Sequence, residues 1–182
     1  MKKNKIIGII LIVVVVIAAF FGKKSLDLKK TNDFLKIKIE GNNYQIGKNT
    51  VGDFLGNGWK LGNKDLEGVP KNSGGTLRMV KDNKVIVVIW NSGNNVGINK
   101  SRVEEVCINK KYNVDFKFSN KSKELYDGIK KKSSNNREDV LLTEKFNSAF
   151  VSVYYDKGDE IVTVGKEDSG IVVSKESFDI IH

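Results

Sequence analysis

Val85-Ile86-Val87-Val88-Ile89-Trp90 is the stretch on which the fold turns. Six consecutive apolar residues, most of them β-branched, favour an extended strand. Successive side chains of a strand point to opposite faces, so a strand apolar at every position needs cover on both sides and belongs in the middle of a sheet. One side is expected to carry a helix, the other the second half of the chain or a partner. The residues Thr76–Val80 and the Asp82-Asn83 turn just before it make the other arm of a hairpin.

Upstream the apolar period is two. Leu35, Ile37 and Ile39 alternate with Lys36, Lys38 and Glu40, Gly41-Asn42-Asn43 supplies a turn, and Tyr44 and Ile46 resume the alternation, giving a hairpin with one buried face. Thr50 then caps a short helix, with Asp53 at its third position and Val51, Phe54 and Leu55 on its apolar side. Gly58 ends the helix and Trp59 closes over the core. Downstream, Val103–Ile108 and Val114–Phe118 read as strands, followed by helical turns near Glu124 and from Asn136 to Phe146. Ala149–Tyr155, Ile161–Val164 and Ile171–Val173 read as strands again, the first two joined by an Asp156-Lys157-Gly158-Asp159 turn. The expected class is α+β, an antiparallel-sheet domain with a few short helices. Leu55-x-x-Gly58-Trp59-Lys60 recurs as Leu125-x-x-Gly128-Ile129-Lys130, which would suit two similar hairpin-helix-hairpin halves.

Ahead of this domain lies an uncharged apolar run, Ile6 to Gly22, between Lys2, Lys3 and Lys5 and Lys23 and Lys24. At about 1.5 Å per residue it reaches about 25 Å, the lower limit for crossing a bilayer, with snorkelling lysines closing the difference. Small residues are missing where a signal peptidase needs them, since Phe20 or Ile17 would occupy those positions, so residues 1–22 read as an uncleaved transmembrane anchor in preference to a cleaved signal. Residues 23–33 read as a polar juxtamembrane linker, and residues 34–182 as the domain. A short leading tail usually stays inside, placing the domain outside the cytoplasm. Lysines on both flanks leave open the opposite orientation, in which Lys23, Lys24, Lys29 and Lys30 lie against anionic lipid.

The net charge of +9 invites a nucleic-acid reading, but removing the five lysines beside the run leaves +4, an ordinary balance. Lys130, Lys131 and Lys132, with Arg137 nearby, form the one dense basic cluster; it has no interleaved aromatics for stacking bases and reads as a solvated loop. No nucleic-acid partner is expected. Cys107, the single cysteine, lies between Val106 and Ile108 and reads as core.

No motif carries chemistry. Gly41, Gly47 and Lys48 miss phosphate-loop spacing, with five residues between the glycines and Asn49 after the lysine. Asp156, Asp159 and Glu160, like Glu167 and Asp168, lack the alternating ligands of a calcium loop. The only histidine is His182, so zinc sites and histidine-assisted nucleophiles are unsupported. No catalytic, cofactor-binding or metal residue is expected. Binding through exposed rings is the better-supported route, with Tyr112, Tyr154 and Tyr155 as the candidate interaction surface.

The hairpin with Gly41 and Tyr44, the Thr50-Val51-Gly52-Asp53-Phe54-Leu55-x-x-Gly58-Trp59 segment and the Asn91 to Ile108 stretch together resemble small extracytoplasmic proteins and lipoproteins of Gram-positive bacteria without an established function. That resemblance implies an envelope location and an α+β domain, and it transfers no site residues. The chain departs from the lipoproteins in lacking a cysteine just after the apolar run. The leading expectation is a single-pass cell-membrane protein with a non-catalytic extracytoplasmic domain that binds an envelope protein, a wall polymer or its own copy. The alternatives are a cell-wall or peptide hydrolase using carboxylates, and an inhibitor or immunity-type protein.

Overall fold

The computed structural model describes residues 23–62, 69–94, 97–133, 140–166 and 173–178. Helix α1 covers residues 23–34, where a linker is expected from sequence. Its polar faces leave Leu26 and Leu28 exposed, and its last residues Thr31 and Phe34 are buried. Strands β1 (Lys36–Ile39) and β2 (Asn42–Gln45) follow, then α2 (Val51–Gly56), β3 (Lys60–Leu61), β4 (Gly74–Lys81), β5 (Lys84–Asn91), β6 (Arg102–Asn109), β7 (Phe116–Lys117), α3 (Asn120–Lys132), β8 (Leu141–Phe146), β9 (Ala149–Asp156) and β10 (Asp159–Gly165). The strands form two antiparallel sheets, one of seven in the order β3-β4-β5-β6-β10-β9-β8 and one of three in the order β2-β1-β7. The class is α+β, as the alternation of the sequence requires.

Turn chemistry sets the registers. Glu40-Gly41, Asp82-Asn83 and Lys157-Gly158 all take positive φ at both central positions, the conformation that matches the right-handed twist of a two-residue hairpin. They join β1 to β2, β4 to β5 and β9 to β10. In α2 the Asp53 carboxylate accepts from the Thr50 backbone N–H at 2.7 Å and its hydroxyl at 3.2 Å. At the other end Gly58 takes φ +87°, and the Trp59 and Gly58 amides donate to the carbonyls of Phe54 and Leu55. That is the Schellman closure, with Trp59 packed back beside Phe54 in the core.

β5 is the third of seven strands and is buried on both faces, as its composition demands. Ile86, Val88 and Trp90 join the main core with Val106, Val153 and Val162, and this core also takes in the small sheet and residues of α2 and α3. Val85, Val87 and Ile89 face the other way, onto a smaller cluster with Cys107 and Ile161 that Val173 and Phe178 cover from the chain's C-terminal part. The second cover is therefore a short 3-10 turn, Lys175–Phe178, and the residues before it.

Four expectations are corrected. Residues 141–146 are strand, because the Asn147 turn at φ +55° folds them back on β9 in the register Phe146↔Ala149 to Leu141↔Tyr154; leucine, glutamate and lysine tolerate either state locally, and the cross-strand pairing decides. The helical turn near Glu124 is a full helix of 13 residues. Lys130, Lys131 and Lys132 form its last turn, where cations suit the helix dipole, and are not a loop. The recurring leucine-glycine-lysine segment spans the end of α2 in one copy and lies wholly inside α3 in the other, so the two copies occupy different places. Among the described residues no helix is long and apolar enough to cross a membrane. Ile6 to Gly22, Glu167, Asp168 and His182 lie outside the described residues, as do Arg137 and Ile171.

Candidate functional site

The three-stranded sheet has one apolar and one basic face, and β1 shows why. Ile37 and Ile39 point inward with Tyr44, whose ring stacks on Phe54 at 4.0 Å between centroids. Lys36 and Lys38 point outward. Pairing of β1 with β7 sets Lys38 directly opposite Lys117, and pairing with β2 sets it opposite Asn43, so the basic face runs Asn43, Lys38, Lys117 across the three strands. An open groove of about 480 Å³ lies on this face, lined by Lys36, Lys38, Asn43, Gln45, Lys117 and Phe118 among others.

The charges in this groove are uneven. Asp33, at the end of α1, holds Lys36 at 2.7 Å, and that contact draws the Asp33 carboxyl below its ordinary value. Lys38 and Lys117 have no ion pair among the described residues, although like charges directly opposite on neighbouring strands repel. No carboxylate lines the groove. Asn49 at its border is already committed, accepting from the Gln45 N–H at 2.6 Å and donating to Asp53 at 3.0 Å. The Gln45 Nε2, on the β2 residue opposite Lys36, is buried with no hydrogen-bond partner among the described residues.

A second polar constellation sits between α3 and the large sheet. Glu160 on β10 accepts from the Tyr126 hydroxyl at 2.6 Å and from Lys130 at 2.6 Å, and pairs with Lys110 at 2.9 Å. Lys130 also donates to the Tyr155 hydroxyl at 2.8 Å, Ser133 lies 3.2 Å from that oxygen, and Lys110 contacts the Tyr126 hydroxyl. Burial alone pushes the Glu160 carboxyl up, but its three donors outweigh burial and hold it below the ordinary range. Burial and the bond to Glu160 both push the Tyr126 phenol up. For Lys130, burial acts downward, but Glu160 and Tyr155 win and hold the ammonium protonated. A neutral phenol and a paired ammonium are poor proton acceptors, and the network straps α3 onto the sheet through the Glu160 carboxylate.

The other residues singled out from sequence are dispersed. Tyr155 belongs to the Glu160 network, on the face that carries the main core. Tyr154, its neighbour, lies on the opposite face with Tyr112, which stacks on Phe178 at 6.0 Å and donates to the Phe178 carbonyl at 3.2 Å. The three tyrosines therefore form no single surface. Asp156 accepts from the Lys175 backbone N–H at 2.6 Å and Asp159 pairs with the Lys175 ammonium at 3.5 Å, so both acids close the C-terminal segment onto the β9-β10 turn, and Asp159 also accepts from Asn109 of β6 at 3.1 Å. Cys107 is fully buried, and burial pushes its thiol up to about 12. Gly47 donates its N–H to the Val103 carbonyl at 2.7 Å, tying the loop after β2 to β6.

The groove escapes sequence reading because Lys38 and Lys117 are far apart in the chain and meet only through the β1-β7 pairing. The outward set of lysines on β1 was legible; the strand that doubles it was not, since β7 is two residues long. Comparison of the chain with protein-family models, with curated proteins and with solved structures finds no match in any of the three.

Proposed function

We propose that the chain is a single-pass, membrane-tethered protein of a Gram-positive envelope whose α+β domain lies outside the cytoplasm and binds a partner without catalysis. In this reading Ile6 to Gly22 is the transmembrane helix, and residues 23–34 carry the chain from the bilayer into the domain. The observation that supports binding is the groove on the small sheet, where Lys38 and Lys117 stand opposite one another without counter-charges among the described residues. Keeping two ammonium groups adjacent costs folding stability, and an anionic partner offsets that cost. Non-catalysis is supported by the acids of the Glu160 and Asp156 clusters, each already engaged with a donor in the fold. Among the described residues no group of three or more histidine, cysteine, aspartate or glutamate side chains is placed to hold a metal.

Membrane fractionation of the full chain tests the tether. The protein is expected to sediment with membranes and to stay there through an alkaline carbonate wash. Val14→Lys puts a charge at the middle of the run, at about 3 kcal/mol of insertion free energy, and is expected to shift the chain to the wash. Release of the unsubstituted chain by carbonate contradicts the proposal.

A further inference from the structure

We infer that the basic groove of the small sheet docks on the phosphate headgroups of anionic lipids in the membrane that holds the chain's own N-terminal run, an inference that rests on the tethered reading above. The first argument is charge complementarity. Lys38 and Lys117 lack ion pairs among the described residues, Lys36 lies beside them with one partner, Asp33, and no carboxylate enters the groove lining. Asn43, exposed opposite Lys38, adds a neutral donor on the same face.

The second argument is tether length. β1 begins two residues after α1 ends, and α1, residues 23–34, starts one residue after the apolar run. Twelve helical residues reach about 18 Å, so the groove is held within about two helix-lengths of α1 from the bilayer whatever the angle of α1. Over so short a tether the local concentration of headgroups is high, and weak contacts suffice. The same helix carries Lys23, Lys24, Lys29 and Lys30, all exposed, which adds basic charge along the chain between the apolar run and the groove. Each lysine held at an anionic surface contributes about fivefold to the docked population. Two unpaired groove lysines thus contribute roughly 25-fold, lost at high salt because the contacts are exposed.

The test uses the full chain in nanodiscs, with Asn120→Cys, exposed three residues beyond Lys117 and outside the groove lining, carrying a fluorophore, and with a quencher attached to lipid headgroups. Cys107 is buried and does not compete for the label. Strong quenching is expected in discs containing phosphatidylglycerol, weak quenching in discs of phosphatidylcholine alone, and loss of most of the difference in Lys38→Gln/Lys117→Gln. Lys60→Gln/Lys71→Gln, removing two exposed lysines away from the groove, is expected to leave quenching unchanged. Quenching indifferent to lipid charge, or unaffected by the groove substitutions, overturns the docking while leaving the tether intact. Inorganic phosphate that binds the groove in discs of phosphatidylcholine alone, with quenching that stays indifferent to phosphatidylglycerol, would assign the groove to free phosphate and overturn the lipid assignment. A chain that fails to enter the discs at all overturns the tethered reading on which the inference rests.

Discussion

Among the described glycines, Gly165 has the least room for a side chain. A Cβ there would lie 2.4 and 2.6 Å from the Phe150 ring and 2.8 Å from Glu105 Cγ, the side chains directly opposite Gly165 on the two neighbouring strands. Phe150 is itself buried and cannot swing into water without exposing the core. Gly165→Ala is therefore expected to lower the urea unfolding free energy by about 1–3 kcal/mol through overpacking. An unchanged midpoint would show that the ring relaxes freely and that the packing here is loose. Nothing local in the sequence marks this glycine, because the crowding comes from strands distant in the chain. Cys107 is the opposite case. An apolar run on both sides of one cysteine already says core, and the structure buries it between Val87 and Thr163, whose hydroxyl donates to the sulfur at 3.3 Å.

At the scale of elements, α3 depends on Glu160. The helix has its own cap, Ser119 accepting from the Ser122 N–H at 3.3 Å, and the Ser119 and Ser122 hydroxyls both donate to the Phe34 carbonyl, joining its start to the end of α1. Its other half is held by Tyr126 and Lys130 on the Glu160 carboxylate. Because the folded pKa of Glu160 lies below its unfolded value of about 4.3, the carboxylate adds stability that is fully present above that value and lost as pH falls through the folded pKa. Glu160→Gln is expected to cost about 1–2 kcal/mol at pH 7 and much less at pH 3, since the unsubstituted protein then loses the same interaction. Urea titrations at both values check this, and parallel losses would remove the network from the account. The network was only half legible. Lys130 and the helix near Glu124 were visible in sequence, but β10 meets α3 through tertiary packing alone. That residues 23–34 are helical is hidden in the sequence for a related reason, since the buried residues of α1 come only at its end and its remaining length shows no apolar stripe.

At the scale of the molecule, sequence and structure agree on what periodicity controls and part where pairing controls. The alternation at Ile37 and Ile39, the two-sided apolar strand and the three primed turns led directly to the α+β class. The order of the large sheet, in which β6 joins β10 and brings the two meanders into one sheet, depends on contacts across 52 or more residues, as at Asn109↔Ile161. The candidate site belongs to this second kind, because β7 makes it by crossing to β1.

The tether and its sidedness decide between every partner considered for the groove, so the most direct measurement is topological. Lys71 is exposed just ahead of β4, and Cys107 is inert by burial, so Lys71→Cys provides a single reactive thiol on the full chain. Intact cells are treated with a membrane-impermeant maleimide, and membrane and medium fractions are assayed. Labelling of intact cells confined to the membrane fraction is the predicted result, placing a tethered domain outside. Label that appears only after lysis would put the domain in the cytoplasm, and labelled protein in the medium would mean the apolar run is cleaved; either result contradicts the account.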